Sequence, residues 1–259
     1  MRFLLYNIRY GTGGKNGHSL WRYAASTRRH LPLIIRYIED LKPDVIGLIE
    51  VDAGSYRSGG RNQAEIISRA LGHHHAYESK YHAQSLTRWI PVLRRQGNAF
   101  IARDTISNAR THYFRKGVKR MVLELELDQV SFFLVHLALG SKARHHQLGD
   151  LYELVANSPK PCIVAGDFNT LWGEQEIRLF KAATGLRNVD TENRPTWPSW
   201  NPSRHLDFIL CSPAVQVRKI QVPRVMLSDH LPLICDFDVN GHSRASPESD
   251  PARSAPPTA

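Results

Sequence analysis

The feature that most constrains the fold of this chain is a series of short apolar runs, each of which stops at a polar residue. Residues 3–6 stop at Asn7, and residues 45–49 stop at Glu50. Short runs of this kind, separated by segments with helical periodicity, are typical of buried strands in an α/β sheet. Polar residues directly after such strands line the functional edge of the sheet. The chain is therefore predicted to carry its chemistry at one edge of an α/β fold.

The polar residues that border the apolar runs form a set with complementary chemistry. They are Asn7, Glu50, His136, Asp167, Asn169, Asp207, Asp229 and His230. Taken singly, each has a structural interpretation, because an Asp or Asn after a strand usually forms a turn or caps a helix. The set favours a functional site because its members recur at one predicted edge.

Helices and strands alternate along the chain. Helices are predicted at Thr27–Leu41, Arg61–Leu71, Lys142–Ala156 and Glu174–Ala183. Strands are predicted at residues 2–7, 44–49, 97–102, 120–127, 130–137, 161–165, 205–211, 215–222 and 231–239. Hairpin-like strand pairs argue against a purely parallel sheet. The order of elements suggests two similar halves, near residues 1–125 and 126–240.

The C-terminal stretch Gly241–Ala259 is rich in Pro, Ser and Ala and contains no large apolar residue. Such a segment cannot bury a core and is predicted to be disordered. We therefore expect one catalytic domain over residues 1–240, followed by a tail over residues 241–259.

The net charge of +10 favours polyanionic partners: nucleic acid, phospholipid headgroups or phosphorylated small molecules. Basic and aromatic residues are interleaved in three segments, residues 88–95, 110–120 and 194–204. Such clusters suit base stacking with phosphate contacts or insertion into an anionic membrane surface, and a solvated face is the alternative for each. The run His73–His75 is predicted to be a solvated turn.

No apolar run approaches the roughly 20 residues of a membrane-spanning helix. The N-terminus becomes polar too early for a signal peptide. The three cysteines, Cys162, Cys211 and Cys235, lie in apolar runs without the spacing of a disulfide framework or a zinc site. We therefore expect a cytoplasmic protein with buried thiols.

The polar set suits metal-assisted hydrolysis of a phosphodiester. Mg²⁺ prefers carboxylate and amide oxygens, so Glu50, with Asn7 beside it, is the predicted ligand pair. His230, held by Asp207, is predicted to act as acid or base near neutral pH.

Three further residues are predicted to handle water and phosphate. Asp167 would orient or deprotonate the attacking water. Asn169 would hold a phosphate oxygen without adding negative charge. His136 would donate to another phosphate oxygen or protonate the leaving group.

Seven short segments carry a resemblance to a known family. They are Tyr6-Asn7-Ile8, Leu48-Ile49-Glu50-Val51, Gly97-Asn98-Ala99, Val135-His136-Leu137, Gly166-Asp167-Phe168-Asn169, Leu206-Asp207-Phe208-Ile209 and Ser228-Asp229-His230-Leu231-Pro232. By these segments, which appear in family order over nearly the whole predicted domain, the chain resembles the endonuclease/exonuclease/phosphatase superfamily. This superfamily includes deoxyribonuclease I, exonuclease III-type apurinic endonucleases, neutral sphingomyelinases and inositol polyphosphate 5-phosphatases.

This resemblance implies a four-layer α/β sandwich, in which two mixed sheets pack face to face with helices outside and the active site at one end. It also implies that Glu50 and Asn7 bind Mg²⁺, or Mn²⁺, with Asp229 near the metal. A monomer is the expectation for the family.

Two features depart from the family pattern. Nuclease members of the exonuclease III type often carry an acidic residue where this chain has Arg9, so a second metal ligand is lost or replaced by a phosphate-binding charge. The tyrosine motif of the apurinic endonucleases is not evident between Leu86 and Arg120, which argues against a dedicated abasic-site role. Arg120 is itself predicted to reach a substrate phosphate. Glu78 is a candidate partner for His136, with a surface role as its alternative.

Three functions follow as hypotheses. The first is a Mg²⁺-dependent, nuclease-like phosphodiesterase, and the second is a phospholipid or phosphoinositide phosphoesterase. The third is a catalytically silent, basic nucleic-acid-binding module. The complete polar set argues against the third, because binding alone does not require it.

Overall fold

The computed structural model describes residues 1–14, 20–55, 58–79, 96–106, 108–117, 121–171 and 173–239. Its strands are β1 (Arg2–Asn7), β2 (Val45–Asp52), β3 (His74–Ser79), β4 (Gln96–Ala102), β5 (Asn108–Tyr113), β6 (Met121–Glu126), β7 (Ser131–His136), β8 (Cys162–Asp167), β9 (Arg187–Asn188), β10 (Asp207–Cys211), β11 (Val215–Gln221) and β12 (Leu233–Val239). Its α-helices are α1 (Leu20–Leu41), α2 (Gln63–Leu71), α3 (Ser141–Ala156) and α4 (Gln175–Thr184). A short 3-10 turn, Arg9–Gly11, follows β1.

The described strands form two six-stranded mixed sheets. Sheet one has the order β11-β12-β1-β2-β4-β3, and sheet two has the order β5-β6-β7-β8-β10-β9. In each sheet the central pair is parallel, β1 with β2 and β7 with β8, and the other pairings are antiparallel. The carboxyl ends of the two parallel pairs lie at the same end of the molecule, because Asn7 Nδ2 at the end of β1 lies 3.4 Å from Asp167 Oδ2 at the end of β8.

Three apolar cores separate four layers. The central core lies between the sheets and is built around Phe132. The ring centroids of Phe3, Phe100 and Phe237 lie 5.1–6.2 Å from the ring centroid of Phe132. A second core packs α1 and α2 on the outer face of sheet one, and a third packs α3 and α4 on the outer face of sheet two. Burial of these apolar faces is the main favourable contribution to folding. The predicted four-layer α/β sandwich is therefore confirmed.

Several predicted boundaries differ from the structure. The first helix begins at Leu20, seven residues before the predicted start, and places Pro32 in its interior. The second begins at Gln63, because the Asn62 side chain accepts a hydrogen bond from Ala64 N, and it ends at Gly72 in the left-handed conformation as predicted.

The predicted division into two halves near residue 125 is wrong. β11 and β12 return from the C-terminal end of the chain to pair beside β1, whereas β5 and β6 already belong to sheet two. The solvated turn predicted at His73–His75 is also wrong, because His74 begins edge strand β3, which pairs with β4. Both β3 and β5 carry polar residues on both faces, which removes the alternating pattern that marks a strand.

Several predictions lie wholly or partly outside the described residues. They are the basic and aromatic segment 88–95, the end of segment 110–120 with Arg120, the tail 241–259, and the role of the Glu78 side chain. Within the described part of the chain, no helix is both long and apolar enough to cross a membrane.

Candidate active site

Sheet two places three site residues in one row. His136 is the register partner of Asp167 at the carboxyl end of the parallel pair, and Asp167 is in turn the partner of Asp207 at the start of β10. The row is buried, with each residue no more than 2% exposed. Alternate residues of these strands, such as Phe132, Ile163 and Ile209, belong to the central core. The three polar side chains therefore project between the two sheets, at the end of that core.

Gly166 permits the close approach of β7 and β8 beside this row. A Cβ atom on Gly166 would lie 2.0 Å from the carbonyl oxygen of Val135, its register partner. No side chain fits in that space, so the Gly-Asp-Phe-Asn motif requires glycine at its first position. The consequence is a fixed distance between His136 and Asp167.

Asp167 is the centre of the polar cluster. Its Oδ2 lies 3.4 Å from Asn7 Nδ2, 3.3 Å from His136 Nε2 and 4.0 Å from His230 Nε2. Its Oδ1 accepts a hydrogen bond of 2.9 Å from the backbone N–H of Asn169. One carboxylate thus faces donors from both sheets, and these donors fix its orientation.

His230 and Asp207 form a buried pair. His230 Nδ1 lies 2.8 Å from Asp207 Oδ2, which also accepts a hydrogen bond of 2.6 Å from the hydroxyl of Thr196. Burial alone would lower the pKa of His230, but the charge of Asp207 and its hydrogen bond, with the charges of Asp167 and Asp229, outweigh burial and raise the pKa to about 10. The imidazole is therefore protonated at neutral pH and is a proton donor.

Sheet one brings oxygen donors to the opposite wall. Asn7 ends β1 and is 2% exposed. Glu50 lies where the β2–β4 register shifts between Leu48 and Val51, and its φ of 57° is in the left-handed region. Such a conformation is strained for a non-glycine residue and clusters at functional sites. The irregularity brings Glu50 Oε1 to 4.0 Å from His136 Nδ1, across the gap between the sheets.

Asp229 and Arg9 close the site beside Asn7. Arg9 Nε lies 3.4 Å from Asp229 Oδ2, Arg9 Nη1 donates to the carbonyl of Gly14 at 2.9 Å, and the Arg9 backbone N–H donates to Asn7 Oδ1 at 3.2 Å. Burial, together with the charge of Glu50, raises the pKa of Asp229, although His230 and Arg9 act in the opposite direction. The guanidinium of Arg9 thus places a permanent positive charge beside the carboxylate of Asp229.

Asn169 and Arg144 build the loop after β8. Asn169 has a φ of 53°, and its Nδ2 donates to the carbonyl of Leu137 at 2.8 Å. Arg144, only 2% exposed at its side chain, donates through Nη1 to the carbonyls of Asn169, Leu139 and Ala138, and through Nε to Glu176. This buried guanidinium ties together the loops that follow β7 and β8.

The structure brings together all eight residues of the predicted polar set, with Arg9 at their edge. Sequence reasoning missed Thr196 and Arg144. Neither lies at the end of an apolar run, so no local pattern distinguishes them from neighbouring polar residues. In the described parts of the basic clusters, Arg110 lies 3.7 Å from Glu126, and Arg115 and Arg194 bind Asp150 and Asp190.

A divalent cation fits the chemistry of this donor set. Ligand atoms of Asp167, Asp207 and His230 lie within 4.8 Å of one another, and Glu50, Asn7 and Asp229 provide oxygen atoms on the other wall. Asp207 Oδ1 is buried without a hydrogen-bond partner among the described residues. Several buried carboxylates so close together need positive charge nearby.

Comparison with known proteins agrees with this geometry. Residues 4–230 match the model of the Endonuclease/Exonuclease/phosphatase family. A UPF0294 protein of Erwinia tasmaniensis is 34% identical over 123 residues, which are 45% of this chain and 43% of that protein. A UPF0294 protein of Vibrio cholerae is 29% identical over 160 residues, 60% of this chain and 50% of that protein. The matches thus span about half the length of these curated relatives.

Solved structures share the fold. An endonuclease/exonuclease/phosphatase family protein of Bacteroides thetaiotaomicron superposes with a TM-score of 0.72 at 16% identity, covering 92% of this chain and 97% of that one. The mannosyl-6-phosphatase of the same organism gives a TM-score of 0.70 at 16% identity, covering 92% and 99%. At such identities the likeness establishes the architecture alone.

Proposed function

Because the chain belongs to the endonuclease/exonuclease/phosphatase family of phosphoesterases, we propose that it hydrolyses a phosphodiester with the help of a divalent cation. The observation that carries this proposal is the convergence at Asp167. Its carboxylate lies between two histidines and an asparagine, and one of these histidines, His136, also lies 4.0 Å from Glu50 across the gap between the sheets.

Glu50, Asn7 and Asp229 would hold the cation. All three offer oxygen atoms, which Mg²⁺ and Mn²⁺ accept as ligands. Burial, and to a smaller extent the charge of Glu50, raises the pKa of Asp229, and a bound cation would favour the charged form of this carboxylate. When bound, the cation would screen the substrate phosphate and stabilise the charge that develops on its oxygen atoms.

The cluster of Asp167, Asp207 and His230 is the alternative cation site. We assign it to proton transfer instead, because His230 Nδ1 and Asp207 Oδ2 already bind each other at 2.8 Å. A histidine ligand must also be neutral, whereas its surroundings keep His230 protonated.

Four residues of this chain then act on the attacking water, the leaving group and the phosphate. Asp167 orients a water molecule and takes its proton as the water oxygen attacks phosphorus. The bond from phosphorus to the leaving oxygen breaks, and the His230 imidazolium donates a proton to that oxygen. His136 donates a hydrogen bond to a phosphate oxygen, and Asn169 contributes a neutral amide.

Two substrate classes are supported by different observations. The net charge of +10 favours nucleic acid, and Arg9 provides a positive charge at the edge of the site, beside Asp229. Exposed apolar side chains on three loops near the site favour a phospholipid instead: Leu139 follows β7, Trp200 follows Ser199, and Met226 precedes the loop that carries Asp229. Ser199 N donates to Asp229 O at 2.8 Å, which places Trp200 beside the site.

An activity panel tests both the chemistry and the substrate. The panel contains a chromogenic phosphodiester, plasmid DNA, RNA, an abasic oligonucleotide, sphingomyelin and phosphoinositides, each with Mg²⁺, with Mn²⁺ and with EDTA. We expect turnover of the chromogenic diester with either cation and none with EDTA. Failure of every substrate to react would instead support a silent binding module.

A further inference from the structure

Asn98 carries a buried carboxamide that the site description above does not use. Its side chain is 1% exposed, and neither Oδ1 nor Nδ2 has a hydrogen-bond partner among the described residues. More than about 90% of buried polar groups in proteins have a partner, because leaving one unpaired in apolar surroundings opposes folding. An amide with both ends unpaired therefore indicates a ligand or water that completes it.

The position of Asn98 points it toward the site. It lies in β4 opposite the register shift that contains Glu50, since Leu48 pairs with Ala99 and Val51 pairs with Gly97. Phe100 and Ala102, two and four residues further along β4, belong to the central core between the sheets. Because alternate residues of a strand share a face, Asn98 projects from that face at the end nearest Glu50.

A neighbour on the same face shows the usual outcome for a buried amide. Gln96 is the first residue of β4, two residues before Asn98, and its Oε1 accepts a hydrogen bond of 2.8 Å from the Tyr10 hydroxyl. The protein thus satisfies the outer amide through its own side chains, but not the inner one, which lies next to Glu50. This contrast separates Asn98 from an ordinary structural amide.

We infer that Asn98 is a positioning residue of the cation site. With the cation bound, its Nδ2 would donate to the carboxylate of Glu50 and its Oδ1 would accept from a water molecule in the site. The inference rests on the proposed function, since it takes Glu50 to be a ligand. Asn98 would act on the cation through Glu50 and water, not as a ligand itself.

The test is calorimetric titration of the full chain with Mn²⁺ in the absence of substrate. Residues that support metal ligands typically change metal affinity by about 10–100-fold when mutated. We expect Asn98→Leu and Asn98→Ala to weaken Mn²⁺ binding by roughly that factor. We also expect the melting temperature of cation-free Asn98→Leu to be no lower than that of the wild type, because the change removes an unpaired amide and not a hydrogen bond.

The matched control is Gln147→Leu. Gln147 is another fully buried amide, but its Oε1 accepts from Ala138 N and its Nε2 donates to Lys116 O. Its replacement should lower the melting temperature and leave the affinity for Mn²⁺ unchanged. A purely structural Asn98 would behave in the same way as Gln147.

A third variant, Glu50→Gln, distinguishes failure of the role of Asn98 from failure of the proposed cation site. If it weakens Mn²⁺ binding by about 10-fold or more while both Asn98 variants bind as tightly as the wild type, the role of Asn98 is refuted and the cation site stands. If Glu50→Gln itself binds Mn²⁺ normally, the proposed cation site fails, and the role of Asn98 fails with it. Should Asn98→Leu not fold, Asn98→Ala decides the question by the same criteria.

Discussion

The two sheets contribute to the site in different ways. Sheet two supplies a row in register, His136, Asp167 and Asp207, joined to His230 and to the backbone by contacts within the protein. Sheet one supplies Asn7 and Glu50 around an irregular strand, with a φ of 57° at Glu50 and an unpaired amide at Asn98. The sheet-two row is thus held by contacts to His230 and to the backbone, although Asp207 Oδ1 has no hydrogen-bond partner among the described residues. Sheet one differs because its ligand candidate Glu50 has a strained backbone and both ends of the Asn98 amide are unpaired within the described chain.

This difference indicates which wall receives a ligand. Groups that handle protons need fixed neighbours, because their pKa values depend on those neighbours. Groups that bind a cation carry costs that the cation offsets when it arrives. We therefore expect changes on the two walls to have different signatures: loss of turnover at sheet two, and loss of cation affinity at sheet one.

The largest expected effect comes from His230→Ala. Removal of the protonated imidazole should lower turnover of a chromogenic phosphodiester by on the order of 10²-fold or more. Binding of Mn²⁺, measured by calorimetry, should persist. His74→Ala, which changes an exposed histidine of edge strand β3, is the control and should have wild-type turnover. Wild-type turnover in His230→Ala would remove His230 from the reaction.

The next effect is on stability. Gly166→Ala would place a Cβ atom 2.0 Å from Val135 O and force β7 and β8 apart, so we expect a loss of about 3 kcal/mol or more in the free energy of unfolding. Gly149→Ala is the control, because Gly149 is exposed in α3 and its added Cβ meets nothing within 4 Å. That change should stabilise the protein by roughly 0.5–1 kcal/mol. Urea denaturation measures the free energy of unfolding of both variants. Equal changes in that free energy would contradict the close approach of β7 and β8 at Gly166.

A smaller effect is expected from Thr196→Val. The change removes the 2.6 Å hydrogen bond to Asp207 Oδ2 and should cost about 2 kcal/mol of stability. It should also lower turnover, because Asp207 would hold His230 less firmly. Thr184→Val is the control, because the Thr184 hydroxyl is only half-buried and donates to Phe180 O at 2.8 Å within helix α4. It should cost less stability and keep wild-type turnover, whereas equal turnover in the two variants would contradict the role of Thr196.

The smallest effect concerns the Arg2–Asp236 pair on β1 and β12, at the end of sheet one opposite the site. Hydrogen bonding to Arg2 lowers the pKa of Asp236, despite opposing desolvation. The pair therefore stabilises the fold above the unfolded-state pKa of about 3.9, and this contribution disappears as the pH falls through the lower folded-state pKa. Since both side chains are partly exposed, Asp236→Asn should cost about 1 kcal/mol or less at neutral pH.

Urea titrations of wild type and Asp236→Asn at neutral pH and in strong acid measure this difference. Asp128→Asn, in an exposed turn, provides the control. A difference between wild type and Asp236→Asn that persists in strong acid would show that packing, and not the ion pair, is responsible.

Much of the fold and of the site could be predicted because strand ends are marked locally. Asn7, Glu50, His136 and Asp167 each follow an apolar run, and parallel strands bring such residues to one edge. The edge strands β3 and β5 could not be predicted in this way, since their polar residues occur on both faces. The pairing of β12 with β1 depends on contacts between the two ends of the domain, which no local pattern contains.

The supporting residues were missed for a related reason. Thr196 acts on Asp207 through a loop held by Leu231 N, and Arg144 acts through carbonyl groups of two separate loops. Asn98 was recognised only as part of a matching tripeptide, because burial without a partner is a property of the folded chain. The residues with direct chemistry were therefore more predictable than those that hold them in place.

The most direct measurement is turnover of a chromogenic phosphodiester as a function of free Mg²⁺ for wild type, Glu50→Gln and His230→Ala. We predict no wild-type turnover in EDTA and a curve for Glu50→Gln that requires on the order of 10-fold more Mg²⁺ or greater. His230→Ala should lower the plateau without moving the midpoint. Turnover that persists in EDTA, or a lowered plateau with an unchanged midpoint in Glu50→Gln, would contradict the division of labour between the two sheets.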